Sequence, residues 1–448
     1  MKTALSAVLA SALALGAMAD DATYKPNWES LDTRPTPQWF LDAKFGIFIH
    51  WGVYSVPSWG PKEKYAEWYW HDMNNREGET WKFHVNTYGE DFQYQDFAPK
   101  FTAELFNPDE WADIFRRSNA KYVVLTSKHH EGFALWPSAE SWNWNAVDVG
   151  PHRDLAGDLI AAVRARGLRM GYYYSIYEWY NPLYKSDVTK FVDQHMLPQL
   201  KDLVQRYKPD IVWPDGEWDH PSATWKSEEF LAWLYNESNA PKDVVVNDRW
   251  GKDTRNVHGG FATPEYGHIP KGRLTDAGLF EECQGMGRSF GYNRNENADN
   301  YRSTTELLAL LIECVSRGGN LLLDIGPTAD GRIPVIMQQR LLDMGKWLDV
   351  NGEAIFGTRA WRAQSDGDLV RYTAKDGAVY AICLKWPGES LVLGEPKPGA
   401  NASVSMLGWD GPVACANEDG KLVIKVPQLT PDKVPCQHAY VFKLTGVE

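Results

Sequence analysis

Carboxylate, histidine and amide side chains recur in this sequence at the ends of short apolar stretches. Asp215 is the clearest example, because it ends the run 211–214 and precedes a glycine. An aspartate in such a place can simply cap the next helix. Similar positions are held by His50, His129 with His130, the run 172–175, Asn247 with Asp248, Glu265, Glu281 and Asp324. If the stretches are parallel strands of a barrel, these eight clusters share its catalytic face, because active sites form where barrel strands end.

Carboxylates among histidines, tyrosines and tryptophans favour the cleavage of glycosidic bonds. That reaction needs one carboxyl group to attack, or to activate water, and another to protonate the departing oxygen. We expect Asp215 to be the nucleophile, and the candidates for the acid are Glu281 and Glu282, with Glu217 and Glu67 behind them. Alternation along a strand points only one of two adjacent glutamates into a pocket. Glu217 could instead be a charge at a helix N-terminus.

A metal site is the competing interpretation of the same residues, since three histidines and an aspartate on barrel strands occur in metallohydrolases. His129 and His130 are adjacent, however, and a strand directs adjacent side chains to opposite faces. The sequence contains no His-x-His triplet. We therefore expect no metal and no cofactor, and we expect the histidine pair beside Glu131 to bind substrate hydroxyls.

These side chains need a scaffold in which strands and helices alternate. Strands are predicted at 45–51, 122–126, 169–175, 210–215, 244–248, 260–265, 279–283 and 320–327, and helices at 108–118, 154–166, 188–207, 225–236, 301–316 and 335–350. This order predicts βαβ units and eight barrel strands. Between 251 and 279 no stretch is long and apolar enough for a crossover helix. The predicted α/β fold is therefore a degenerate (β/α)8 barrel.

The last part of the chain has a different pattern. After residue 352, short stretches alternate between apolar and polar residues and are separated by Gly, Pro, Asp and Asn. This pattern predicts an antiparallel β-sandwich. Because 448 residues exceed one ordinary core, we predict a catalytic barrel over 20–355 and a β-sandwich domain over 356–448.

The N-terminus and the net charge bear on location and partners. Lys2, the small apolar run 3–19 and the ending Ala17-Met18-Ala19 resemble a signal peptide over 1–19, so the protein is expected to be secreted or periplasmic. No later segment is apolar for long enough to cross a bilayer. The net charge of −13 argues against a nucleic-acid partner. Export permits a disulfide among Cys383, Cys415 and Cys436, whose pairing stays open.

Several blocks of the sequence resemble the α-L-fucosidases of glycoside hydrolase family 29. The blocks are 45–52, 67–69, 127–133, 173–175, 213–216 and 320–327, in the family's order, and the similarity spans about 38–360. The resemblance implies a retaining, exo-acting α-L-fucosidase with an incomplete barrel and a C-terminal β-sandwich. Such an enzyme would release terminal L-fucose from fucosylated glycans through a covalent ester on Asp215.

The same resemblance implies individual roles. His50, Glu67, Trp68, His129, His130 and Tyr174 would hold the fucose hydroxyls, and Phe290 would pack under the C5 methyl group. The segment 280–283 is similar to a Trp-Glu-x-Cys block and selects Glu281 as general acid/base, although Phe replaces Trp and Glu282 follows. The arginine that some members direct at the sugar has no clear counterpart, and no linkage preference is predicted. A sugar-binding protein with an inactive barrel is the alternative from another class, and turnover of any fucoside would exclude it.

Overall fold

The computed structural model describes residues 23–267 and 269–448, so the predicted signal peptide lies outside the described residues. A parallel sheet of seven strands forms the first part of the fold. These strands are β1 (Phe45–Ile49), β2 (Tyr122–Lys128), β3 (Arg169–Ser175), β4 (Ile211–Asp215), β5 (Val245–Val246), β6 (Glu281–Gly285) and β7 (Asn320–Ile325). Their spatial order is β5-β4-β3-β2-β1-β7-β6, and every neighbouring pair is parallel. The predicted degenerate (β/α)8 barrel is confirmed as a curled, TIM-like sheet.

The helices surround this sheet. They are α1 (Trp28–Leu31), α2 (Gln38–Ala43), α3 (Tyr69–Met73), α4 (Glu79–Tyr88), α5 (Pro108–Arg117), α6 (Leu155–Ala165), α7 (Pro182–Ser186), α8 (Val188–Phe191), α9 (Leu197–Tyr207), α10 (Ser222–Trp225), α11 (Ser227–Asn236), α12 (Arg273–Asp276), α13 (Thr304–Ser316) and α14 (Val335–Asn351). The predicted helix at 188–207 is divided by a π-helical turn at Val192–Met196. No helix in the described part of the chain is long and apolar enough to span a membrane.

The predicted sixth strand, 260–265, is not a regular strand. Gly260 donates its N–H to Val246 of β5 at 3.1 Å, and isolated parallel bridges join Ala262 to Phe280 and Glu265 to Cys283. Pro264 interrupts the ladder here because proline has no N–H to donate. The segment therefore lies between β5 and β6 and closes the barrel irregularly. Among the described residues of 251–279, the short α12 is the only helix.

Alternation along the strands separates two apolar layers. Phe48, Tyr173, Trp213 and Leu322 belong to a buried cluster inside the barrel, where they are joined by Phe261 from the irregular segment. The intervening strand residues, such as Ile47, Val123, Val212 and Leu321, face the helices. They belong to one apolar cluster with helix residues such as Leu159 of α6 and Leu311 of α13. The strand ends are thus held on both sides, which fixes the side chains that project from them.

The C-terminal part forms two antiparallel sheets. Their strands are β8 (Arg359–Asp366), β9 (Val370–Lys375), β10 (Ala378–Cys383), β11 (Ser390–Leu393), β12 (Pro398–Met406), β13 (Cys415–Glu418), β14 (Lys421–Lys425) and β15 (Tyr440–Val447). One sheet has the order β12-β15-β10-β9-β8 and the other β11-β14-β13. Tyr372, Leu422 and Phe442 contribute to a core between them, which confirms the predicted antiparallel sandwich.

The sandwich packs directly on the barrel. Trp347 of α14 donates its indole N–H to the carbonyl of Ala439 at 2.9 Å, and Arg371 of β9 forms an ion pair with Glu313 of α13 at 2.5 Å. All five cysteines lie among the described residues as free thiols.

Candidate active site

One pocket opens among the ends of the barrel strands, and we call it the inner pocket. Its lining comprises Phe48, His50, Tyr65, Glu67, Trp68, His129, His130, Tyr173, Trp213, Asp215, Trp218, Arg249, Glu265, Cys283 and Phe290. The structure thus brings together seven of the residues to which a catalytic or substrate-binding role was assigned from the sequence: Asp215, His50, Glu67, Trp68, His129, His130 and Phe290. Glu281 and Tyr174 are absent from the lining.

Asp215 is the last residue of β4 and is buried in the inner pocket. Tyr173 donates its hydroxyl to Oδ2 at 2.8 Å, and Arg249 donates from Nη1 to Oδ1 at 2.5 Å. Burial is the largest single effect and favours the protonated acid, but the charge of Arg249, the nearby His130 and the hydrogen bonds from Arg249 and Tyr173 together outweigh it and hold the pKa of Asp215 well below its usual range. The carboxylate is therefore ionised and held in one orientation.

The chain turns sharply after Asp215. Gly216 has a φ of +83°, and a Cβ atom there would lie 2.5 Å from Cβ of Tyr177. Only glycine tolerates both the conformation and the close approach. The Pro-Asp-Gly sequence thus ends the strand at Asp215 and leaves its side chain on the pocket side.

Arg249 joins two of the three carboxyl groups that line the inner pocket. Its Nη1 binds Asp215, while its Nη2 forms a short ion pair with Glu265. Thr263 holds the guanidinium in place, since its hydroxyl accepts a hydrogen bond from Nε at 2.8 Å. Asp215 and Glu265 therefore lie close together on one buried guanidinium. The sequence interpretation assigned no role to Arg249, although it follows directly on the predicted cluster Asn247-Asp248 at the end of β5.

Glu281 does not reach the inner pocket, so the prediction that it faces Asp215 across the pocket is wrong. It is the first residue of β6 and pairs with Asn320, the first residue of β7. Tyr122 donates its hydroxyl to Glu281 at 2.5 Å and Trp213 donates its indole N–H at 2.9 Å. Burial raises the pKa of Glu281 to about 7. Strand β6 begins two residues later than predicted. Glu281 therefore lies at the amino end of the barrel, and the inner pocket lies at the opposite, carboxyl end of the strands.

The alternative acids are also outside the inner pocket, with one exception. Glu282 accepts hydrogen bonds from Gly267 N–H at 2.6 Å and from the Gln284 amide at 3.1 Å, and burial raises its pKa to about 7. Glu217 is buried 3.2 Å from Nε of Arg255, and burial raises its pKa to about 7 as well. It does not begin a helix, because α10 starts only at Ser222. Glu67 is the exception, and it lines the pocket.

Tyr173 lines the inner pocket, and the predicted residue Tyr174 does not. The register pairs Tyr173 with Trp213 and Ser175 with Asp215, so these four residues share the inner face of the sheet. Tyr174 points to the helices, where its hydroxyl donates to Gln199 at 2.8 Å. The prediction that Tyr174 faces the substrate is therefore wrong, because the tyrosine that faces the pocket is its neighbour on β3, Tyr173.

The histidines present both a donor and an acceptor to the inner pocket. Nδ1 of His50 lies 2.6 Å from Oδ1 of Asp324. Burial lowers the pKa of His50 and raises that of Asp324. The neutral pair follows, in which the Asp324 carboxyl donates to Nδ1 and the proton of His50 stays on Nε2 as a donor.

His130 has the opposite tautomer. Its Nδ1 lies 2.6 Å from the hydroxyl of Ser175, which itself donates to the carbonyl of Tyr177 at 2.5 Å. Nδ1 must therefore carry the proton. Burial lowers the pKa of His130, so Nε2, 3.6 Å from Oδ2 of Asp215, keeps a free lone pair. The ring of His129 lies tilted against that of His130, with 4.1 Å between the ring centroids, and completes this wall.

Glu67 and Trp68 come from a 3-10 helical turn, Ala66–Trp68, and Phe290 comes from a loop that is hydrogen-bonded to it. Glu67 accepts hydrogen bonds from the N–H of Gly291 at 2.8 Å and the hydroxyl of Ser289 at 3.3 Å, and burial raises its pKa. The ring of Phe290 stacks on His50 at 4.9 Å. These contacts place an apolar ring and a carboxyl group side by side on one wall. Among the described residues, no group of three His, Cys, Asp or Glu side chains could hold a metal ion.

A barrel that places paired carboxylates, neutral histidines and aromatic rings at its strand ends belongs to the class of glycoside hydrolases. Models of the α-L-fucosidase family and of its C-terminal domain match residues 11–353 and 364–445. The chain therefore belongs to the α-L-fucosidase family, glycoside hydrolase family 29, and it has α-L-fucosidase function.

Individual relatives agree with this assignment. Tissue α-L-fucosidase of Rattus norvegicus is 48% identical over 436 residues, which cover 95% of this chain and 93% of the relative. The tissue enzyme of Homo sapiens is 47% identical over 437 residues, with 95% and 92% covered. The crystal structure of Thermotoga maritima α-fucosidase in complex with a mechanism-based inhibitor superposes with a TM-score of 0.81 at 38% identity, covering 94% of this chain and all of that one.

Proposed function

We propose that this enzyme is a retaining, exo-acting α-L-fucosidase in which Asp215 is the nucleophile and Glu265 is the general acid/base. The observation that carries the proposal is the shared guanidinium of Arg249, which binds both carboxylates within the inner pocket. Retaining glycosidases keep their two carboxyl groups about 5 Å apart, so that one bonds to the sugar directly. Two carboxylates on one guanidinium agree with such a separation.

In the first step an oxygen of Asp215 attacks the anomeric carbon and forms a glycosyl ester. The bond to the leaving oxygen breaks as Glu265 gives that oxygen its proton. In the second step Glu265, now ionised, takes a proton from water, which attacks the same carbon and releases Asp215 as a carboxylate. Arg249 supports this cycle because it stabilises the ionised form of Asp215 before attack and holds the Glu265 carboxyl group beside it.

Recognition of a terminal L-fucose rests on the walls of the inner pocket. The Nε2–H of His50 donates to a sugar oxygen, and the free lone pair of Nε2 on His130 accepts from a hydroxyl. Phe290 provides an apolar surface for the C5 methyl group, whose burial contributes about 0.8 kcal/mol. The substrates are thus fucosylated oligosaccharides or glycoconjugates.

The configuration of the first product tests the proposal. NMR spectra taken within the first minutes of hydrolysis are expected to contain the α anomer of L-fucose before mutarotation. Asp215→Gly is expected to abolish hydrolysis of an aryl α-L-fucoside while its circular dichroism and melting temperature stay close to those of wild type. Initial release of the β anomer, or wild-type turnover by Asp215→Gly, would refute the mechanism.

Export remains a separate proposal and rests on the N-terminal sequence. We propose that residues 1–19 are removed and that the mature enzyme is secreted or periplasmic. N-terminal sequencing of the enzyme recovered from its native compartment is expected to begin at Asp20. Recovery of the full chain in the cytoplasmic fraction would contradict it.

A further inference from the structure

A second cavity adjoins the inner pocket, and we call it the outer pocket. It shares Trp218, Arg249 and Glu265 with the inner pocket and continues over Asp248, Arg255 and Pro264, whereas Asp215 lines only the inner pocket. The volume available to the centre of a water molecule is about 70 Å³ in the inner pocket and about 360 Å³ in the outer one. A narrow site thus opens into a roomier one at Glu265.

We infer that the outer pocket binds the sugar that leaves when fucose is transferred to the enzyme, with Trp218 as its stacking surface. The inference rests on the proposed function. In a displacement at the anomeric carbon, the nucleophile and the leaving oxygen lie on opposite sides of that carbon. The leaving oxygen must also be within hydrogen-bond reach of the acid. The cavity that borders Glu265 but not Asp215 meets both conditions, and the outer pocket is that cavity.

Trp218 is placed to receive the leaving sugar. The rings of His130, Tyr177 and Trp68 lie beside its indole, with ring centroids 5.2, 5.9 and 6.0 Å away. It is nevertheless 41% exposed, so part of its apolar surface is open to a ligand. An exposed indole at the junction of the inner and outer pockets offers a flat apolar surface to the C–H face of a pyranose ring.

The charges of the outer pocket indicate a neutral sugar. Asp248 accepts hydrogen bonds from the Thr263 hydroxyl at 2.6 Å and from the N–H of Asn256 at 2.7 Å, and it lies 3.7 Å from Nη1 of Arg255. Arg255 also pairs with Glu217 at 3.2 Å. The arginines are thus balanced by protein carboxylates, and no surplus cation is left for a sulfate or a carboxylate on the sugar.

The experiment compares two substrates that differ only in the leaving group. α-L-Fucosyl fluoride has a leaving group too small to reach Trp218, whereas α-L-fucosyl-(1→2)-galactose places a pyranose in the outer pocket. In Trp218→Ala, the ratio of kcat/KM for the disaccharide to kcat/KM for the fluoride is expected to fall about tenfold, the size of one aromatic stacking contact. Trp218→Phe should recover most of the ratio, because a phenyl ring retains a stacking face.

Two controls separate the outer pocket from the rest of the enzyme. Trp142→Ala removes another exposed tryptophan, 77% exposed and outside both pockets, and should leave the ratio unchanged. The inhibition constant of free L-fucose, which occupies only the inner pocket, should rise less in Trp218→Ala than the KM of the disaccharide.

The outcomes also separate this inference from the function on which it rests. If Trp218→Ala lowers kcat/KM equally for the disaccharide and the fluoride, or lowers it for neither, the outer-pocket assignment is wrong while the fucosidase mechanism stands. If Glu265→Ala hydrolyses the disaccharide at the wild-type rate, the proposed acid/base is wrong, and the position of the leaving sugar loses its basis.

Discussion

Removal of the Glu265 carboxyl should affect catalysis without affecting folding. A general acid contributes about 10²–10⁴-fold to rate, and a sugar leaving group needs that proton most. In Glu265→Ala, kcat/KM for a fucosylated oligosaccharide is therefore expected to fall by about that factor, whereas 4-nitrophenyl α-L-fucoside should lose much less. The melting temperature should change little, because Glu265 is 31% exposed and Arg249 keeps Asp215 and Thr263 as partners.

Glu281→Ala is the matched variant, and the opposite result is expected for it. The substitution leaves the Tyr122 hydroxyl and the Trp213 indole N–H without their buried acceptor. An unsatisfied buried donor costs about 1–3 kcal/mol, so the two together should lower the free energy of unfolding by about 2–6 kcal/mol. The folded fraction should retain the leaving-group dependence of the wild type, because Glu281 does not line the inner pocket.

Three assays distinguish the variants: release of L-fucose from an oligosaccharide, release of 4-nitrophenol, and urea denaturation. Azide provides a further check. In Glu265→Ala the space left by the carboxyl admits azide, which should restore turnover of 4-nitrophenyl fucoside and yield α-L-fucosyl azide. If azide rescues Glu281→Ala instead, and the oligosaccharide rate of Glu265→Ala is unchanged, the two roles must be exchanged.

Two other outcomes are expected. Tyr173→Phe removes a hydrogen bond to Asp215 and should lower kcat about tenfold with KM little changed. Tyr174→Phe loses the contacts of the hydroxyl with Gln199 and with the carbonyl of Met196, so it should lower stability by about 1 kcal/mol and leave kcat unchanged. Steady-state kinetics and denaturation of both variants check this, and a larger kcat loss in Tyr174→Phe would contradict it. Glu281 has a folded pKa of about 7, above the usual value of 4.5, so the folded state holds a proton that the unfolded state loses, and the stability that Glu281 contributes declines as pH rises from 4.5 to 7. Denaturation of wild type and Glu281→Gln at several pH values should show their difference in unfolding free energy shrinking over that window, and a constant difference would count against it.

Much of the site follows from local sequence. Asp215 and His50 each follow an apolar run and precede a turn that contains glycine, and such residues emerge at strand ends once the strands are parallel and buried. The same logic placed the histidine pair. Glu67, Trp68 and Phe290 lie outside the barrel strands, and their substrate-binding roles were predicted from the resemblance of whole sequence blocks.

The placement of the other site residues could be decided only from the tertiary structure. Side chains alternate along a strand with a period of two, so a shift of one residue exchanges Tyr173 for Tyr174, and a shift of two moves Glu281 from the end of β6 to its beginning. Glu265 lies in a segment with no regular period, which only the neighbouring strands β5 and β6 hold in place. Arg249 acquires its role by contact with Asp215 and Glu265, 34 and 16 residues away. The sequence by itself determined the barrel, the sandwich and the nucleophile candidate, whereas the partner of that nucleophile was decided by the folded chain, because register and long-range ion pairs leave no local pattern.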